Sequence, residues 1–427
     1  MARTGSPDPT NDIELDAATQ GEQNADVADA SPDGGYGWVV VASCFTLNGF
    51  TWGVTASFGV YLSEYLSLGV FPEARPLDYG FVGGFNFAFA MFVAPLATYL
   101  TRKFGKRSVL LCGSILQCSG YVAASFATKN WHLYFSQGLL VGCGIGFIII
   151  PSMAILSQWF SRRRSVANGI SSAGSGVGGV MFTWGTASMI RSMGLAWALR
   201  TTGLVTLAAN ITATLFIRDR NHHIRPTQLA FDVTLLRRYE VILLLLWAFI
   251  TMFGYITLLF SLSDFATSIH LSRSQATDIV GFLNLGTAVG RPIIGILSDR
   301  FSRTNTAAVL TLVCGLICFA LWLPDTSFGL TVYFALTCGA ILGVFWMTIG
   351  PLCVEVAGLK NLPSLLSLSW VTIIIPTASS EAIALVLRRP GASRPYLYPQ
   401  IFAGLSYTIA SLFMLELWRV QRRRRVP

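Results

Sequence analysis

A series of hydrophobic segments, each about as long as a bilayer is thick and separated by short basic connectors, limits the folds open to this chain more than any other feature. A spanning helix needs about 20 mostly apolar residues. Lipid admits only helices and closed barrels, because every backbone polar group must be satisfied internally. Six such segments fall between Gly37 and Ile217 and six between Tyr239 and Trp418. Of 427 residues, 53% are hydrophobic and 12% charged, where a soluble chain carries about 25% charge. The expected fold is all-α and polytopic, with 12 transmembrane helices in two six-helix bundles. The expected divisions are an acidic tail (1–36), a first bundle (37–217), a linker (218–238), a second bundle (239–418) and a basic tail (419–427).

Charge placement sets the expected orientation. If both ends are cytoplasmic, the connectors on that side hold roughly three times as many Lys and Arg as the outer loops, which is the bias that fixes topology. Arg388, Arg389 and Arg394 run against it. The net charge of +9 therefore belongs to the membrane surface rather than to nucleic acid. The tail up to Asp33 has eight acidic residues against Arg3 alone and few large apolar side chains, so it reads as a solvated segment. The terminal Arg422–Arg425 run fits contact with anionic lipid or a simple helix stop. All eight cysteines fall within or beside hydrophobic segments without metal-ligand spacing, and read as packing residues.

Arg291 interrupts the otherwise apolar stretch Ile279–Leu297. A guanidinium near mid-bilayer costs a few kcal/mol or more, so it should face a cavity, a partner or a ligand. A structural arginine held by helix-end carbonyls or a fixed carboxylate is the alternative. Asn284, Thr287 and Arg291 are spaced three or four apart and share one helix face. Asn48 and Trp52 lie one turn apart in the first segment, and Asn86, Tyr255 and Trp346 complete the expected solute contacts. Glu381 is an intramembrane carboxylate, expected to carry a coupling proton, to neutralise Arg291, or to sit at the outer interface beside Arg388 and Arg389.

Two connectors repeat weakly at a distance of six helices. Ala97–Arg107 reads ATYLTRKFGKR and Gly295–Arg303 reads GILSDRFSR. Duplicated halves are a common plan for transporters. These connectors resemble the loop signature of the major facilitator superfamily, although Thr101 stands where the first copy usually has its acid. The resemblance implies a charge latch in which Asp299 and the nearby arginines, Arg300 and Arg102 among them, pair across helix ends in one conformation and part in the other; charges that only fix topology are the alternative. Two further motifs, Asp33–Trp38 (DGGYGW) and Phe160–Gly178 (FSRRRSVANGISSAGSGVG), resemble those of the monocarboxylate porter family, and the style of the chain is most similar to its fungal branch. That branch includes uptake carriers and exporters of secondary metabolites.

The departures from that family bear on mechanism. Ala56 occupies the position of a first-helix lysine in the animal carriers, and Thr287 replaces an acid four residues before the arginine. Arg291 and Pro292 match. Simple lactate–proton symport is therefore doubtful, while an anionic or polar solute at Arg291 stays reasonable. The glycines of the second motif suit close helix packing. No Walker A loop, nucleophile set or dinucleotide loop in a strand–helix context is present, so neither an enzyme nor a cofactor is expected. The expected partners are a small organic solute, protons and the lipid bilayer. Efflux of a secondary metabolite, and a sensor that binds solute without moving it, are the alternatives.

Overall fold

The structure, a computed structural model, describes residues 32–68, 76–218, 232–389 and 391–425. Twelve helical passages run through them. In the first half they are α1 (37–68), α2 (76–104), α3 (Lys106–Ala124), α4 (Asn130–Trp159), α5 (Arg164–Met193) and α6 (Leu195–Phe216). A 3-10 turn over Val233–Arg237, capped by Asp232, precedes the second half. There follow α7 (Tyr239–Ser268), α8 (Arg273–Phe301), α9 (Arg303–Trp322), α10 (Phe328–Ala357), α11 (Leu362–Leu387) and α12 (Leu397–Arg425).

Counting the bent α2, nine of these passages are long and apolar enough to cross a bilayer among the described residues. The exceptions have visible causes: Lys106 and Arg107 open α3, a glycine–serine face fills α5, and Arg200 and Asn210 interrupt α6. Helices α1, α5 and α6 pack together, and α3 packs on both α4 and α6; in the second half α7 and α9 pack on α12, and α8 on α10. The result is two six-helix bundles, joined by α5 against α8 and α2 against α11. In their most apolar stretches α4 is 83% buried and α11 only 33%, so α4 lines the interior while α11 shows much of its surface to lipid.

Several helices are broken rather than straight. α1 is interrupted at Phe50–Thr51 and again at Ser57, and α2 bends by 43° at Val93, just before Pro95. A π-helical turn over Tyr134–Leu140 lies in α4 and another over Cys318–Trp322 in α9. Such irregular backbone is tolerated at membrane depth where protein surrounds it.

Two boundaries differ from expectation. α12 continues through Arg425 rather than stopping at Trp418, because Arg419 pairs with Glu416 and arginines in a last turn complement the helix dipole. α7 runs to Ser268 and so carries Asp264 to 2.7 Å from Arg388. That ion pair gives the misplaced arginine a partner. The expected acidic tail ends earlier than residue 36, because the chain is anchored from Asp33 onward. The Asp33 carboxylate accepts from the backbone N–H groups of Ser161, Arg162 and Arg163, and the Tyr36 hydroxyl donates to Phe216 O. The rest of that tail, linker residues 219–231, Arg75 and the last two residues lie outside the described residues.

Candidate functional site

Helix α5 has glycine where it meets α8, and this lets the two backbones touch. A Cβ at Gly169 would stand 2.6 Å from Arg291 O, and one at Gly176 would stand 2.5 Å from Ala288 N. Arg291 itself is therefore held in the seam between the bundles. Its guanidinium donates to Ser172 O at 2.7 Å and to Ser175 Oγ at 2.6 Å, both on α5. The other edge lies against bare Gly343 of α10, where a Cβ would sit 2.7 Å from the guanidinium nitrogens. Arg291 is 6% exposed, and among the described residues no carboxylate pairs with it.

A cavity of about 50 Å³ opens beside it, between the bundles. Its wall includes Arg291, Asn284, Thr287, Asn48, Trp52, Tyr255 and Trp346, seven of the residues expected from sequence. Trp52 stacks on Phe87 at 4.8 Å and meets Trp346 at 5.5 Å; Tyr255 meets Trp346 edge-on at 5.8 Å. The Asn48 amide donates to Cys44 O and Ser171 Oγ, and the Thr287 hydroxyl to Leu283 O and Gly339 O. Three buried polar atoms on the cavity residues make no hydrogen bond of good geometry, Arg291 Nε, Asn284 Nδ2 and Trp346 Nε1, although the Tyr255 hydroxyl lies close to both Arg291 and Trp346. All three are donors, so the site is short of acceptors. Typical small-molecule sites enclose about 300–1,000 Å³; this conformation has room for a few waters and must open to admit a metabolite.

Asn86 is not on this wall. It lines a second cavity of about 20 Å³ with Thr55, Tyr61, Gln137 and Phe260, and its amide donates to Gln137 O at 2.8 Å. Glu381 does not neutralise Arg291. It accepts from the Ser261 hydroxyl of α7 at 3.1 Å, three residues before Asp264, and so lies toward the Arg388 end of the bundle.

The other end of the seam carries an ionic cluster. The Asp299 carboxylate accepts from the N–H groups of Ser165 and Val166, capping the start of α5 from the opposite bundle. The cation on Asp299 is Arg303, at 3.3 Å, which also reaches Glu355 at 3.5 Å and Ser161 O at 2.8 Å. Arg300 instead lies over the Phe301 ring, and Arg102 is exposed with no ion pair among the described residues. Arg303 stands four residues after Asp299, a helical pairing distance. Ser172 and Ser175 lie between the packing glycines of the second motif, and no sequence signal marks them as partners of Arg291.

Comparison with known proteins agrees with this architecture. The chain matches the Major Facilitator Superfamily over residues 41–374. It is 32% identical over 411 residues to a protein described as "Probable transporter MCH2" of Saccharomyces cerevisiae, covering 95% of this chain and 87% of that one. It is 27% identical to the "Fujikurins efflux protein" of Gibberella fujikuroi, covering 92% and 86%. Among solved structures, the E. coli fucose:proton symporter FucP is similar with a TM-score of 0.64 at 14% identity, covering 88% of this chain and 98% of that one. The proton:xylose symporter XylE is similar with a TM-score of 0.69 at 14% identity, covering 89% and 95%. Twelve helices in two bundles, a cavity at their junction and these matches lead to one conclusion: the chain belongs to the Major Facilitator Superfamily and is a multi-pass membrane transporter.

Proposed function

We propose that the chain is a carrier of small organic anions, of the monocarboxylate-porter type, working by alternating access with Arg291 as the anion site. The observation that carries this reading is a buried guanidinium with no acidic partner among the described residues, beside a cavity whose unsatisfied groups are all donors. A solute carboxylate supplies the missing acceptors, and a charge-assisted bond of that kind is among the stronger polar contacts. Because Arg291 now donates to Ser172 and Ser175 across the seam, an anion that takes over those donors weakens one tie between the bundles. Binding is thereby linked to opening.

Glu381 is our candidate for a coupling proton. It is an intramembrane carboxylate that pairs with no cation among the described residues. The two solved neighbours named as proton symporters fit this reading. The bias of basic residues toward one set of connectors supports cytoplasmic termini, and the plasma membrane is the proposed site. Export rather than uptake is the second reading, supported by relatives described as efflux proteins.

The test is flux of a labelled carboxylate panel in proteoliposomes, with and without a pH gradient. Carboxylate flux that follows the gradient and is lost in Arg291→Ala supports the reading. Flux that survives the substitution removes Arg291 as the anion site. Saturable binding without counterflow would point to a sensor instead.

A further inference from the structure

The two cavities have opposite hydrogen-bonding character. In the first, the partnerless atoms are donors; in the second they are the acceptors Asn86 Oδ1 and Gln137 Oε1. Asn86 is oriented by its own neighbour, since Nδ2 donates to Gln137 O and leaves Oδ1 as the spare acceptor. Gln137 Nε2 likewise donates to the Tyr65 hydroxyl at 3.0 Å. Both residues are more than nine-tenths buried, so neither acceptor is served by bulk water, and leaving such groups unmade is costly.

The cavities are also next to each other. Ala56, Phe87 and Leu259 line the first, and their chain neighbours Thr55, Asn86 and Phe260 line the second. Phe87, on the wall of the first cavity, meets Phe260, on the wall of the second, edge-on at 6.0 Å, and Phe87 also stacks on Trp52. None of the residues on the second cavity's wall is charged. A neutral donor fits there, whereas an ammonium would be left without a counter-ion.

We propose that the second cavity is a hydroxyl-recognising subsite, so that the solute is a carboxylate carrying a hydroxyl away from its acid group. The acid binds at Arg291 and the hydroxyl donates its one proton to Asn86 Oδ1 or to Gln137 Oε1. This rests on the anion reading of Arg291 and adds the solute's second recognition element. A site built to bond a hydroxyl discriminates strongly against the analogue that lacks it.

The experiment is counterflow in proteoliposomes with two matched pairs of labelled probes, γ-hydroxybutyrate against butyrate and ω-hydroxyoctanoate against octanoate. The wild type should favour the hydroxy acid of at least one pair by about tenfold or more, as expected when a buried acceptor is otherwise left unpaired. Asn86→Leu should abolish that preference, read as the ratio of hydroxy-acid to parent-acid flux, and Gln137→Met should reduce the ratio in the same direction. Should Asn86→Leu fail to fold, the wild-type preference together with Gln137→Met decides the matter. Equal flux of both members of each pair, or a preference that survives both substitutions, overturns the subsite and leaves a cavity that holds only water. Flux of the parent acid reads the Arg291 proposal separately: if neither acid of any pair moves, that proposal falls and takes this one with it.

Discussion

Where α5 meets α8 the two backbones touch, whereas α2 and α11 are spaced at ordinary contact distance. In the first seam a Cβ added at Gly176 or Gly295 would stand 2.5 or 2.6 Å from backbone of the opposite bundle. In the second, a Cβ at Gly84 would meet Ala378 O at an ordinary 3.5 Å, and the Thr98 and Ser367 hydroxyls meet at 2.9 Å. At these glycines the tight seam meets backbone rather than a side chain that could yield. The looser seam can part by rotating a hydroxyl. Both the candidate anion site and the Asp299–Arg303 cluster are built on the tight seam, which is where solute binding has most leverage on the bundles.

The comparison can be broken most forcefully at Gly176. Gly176→Ala forces a methyl against backbone at Ala288 and Asn284, and overpacking of this kind costs about 1–3 kcal/mol. Thermal melting should fall and reconstituted flux should be lost, whereas Gly84→Ala in the looser seam should leave both near wild type. Next in size is the Asp299 cap. Asp299→Asn weakens charge-assisted bonds to the start of α5, each worth about 1.5–3 kcal/mol before solvent screening lowers it at this half-open end. The expected result is faster thiol labelling of cysteines introduced along the α5–α8 seam, with the wild-type protein as the slow reference.

Gly343→Ala sharpens the argument without touching a charge. The new methyl displaces the Arg291 guanidinium, whose far end can move, so the fold should hold while the apparent KM for carboxylate rises. Glu381→Gln should leave carboxylate counterflow intact and remove its response to a pH gradient. A gradient response that persists would place the coupling proton elsewhere. The smallest effect belongs to Thr98→Val, which removes one neutral hydroxyl pair worth about 0.5–1.5 kcal/mol.

The helices and their order were legible because spanning segments announce themselves by length and hydropathy. Arg291 was legible for the same reason, as a charge out of place. Its neighbours were visible wherever helical spacing on one segment was enough, as for Asn284 and Thr287. Contacts between segments were not: Ser172 and Ser175 looked like any small residues of a packing face, and nothing in the chain marks them as the groups that hold the guanidinium. The assignment of Asn86 to a separate cavity, and of Glu381 to Ser261 rather than Arg291, likewise depends on rotations between helices that no single segment encodes. The Asp33 anchor was hidden by its position at the end of an acidic run. Only the fold shows that it caps the α4–α5 connection.

The central claim, that Arg291 is where an anion binds, is tested most directly by titrating purified protein with a carboxylate and following the fluorescence of Trp52 and Trp346, which share the cavity with it. Saturable quenching in the wild type should be retained in weakened form by Arg291→Lys and lost in Arg291→Ala, with melting temperature recorded to confirm folding. Undiminished carboxylate binding by folded Arg291→Ala would contradict the account.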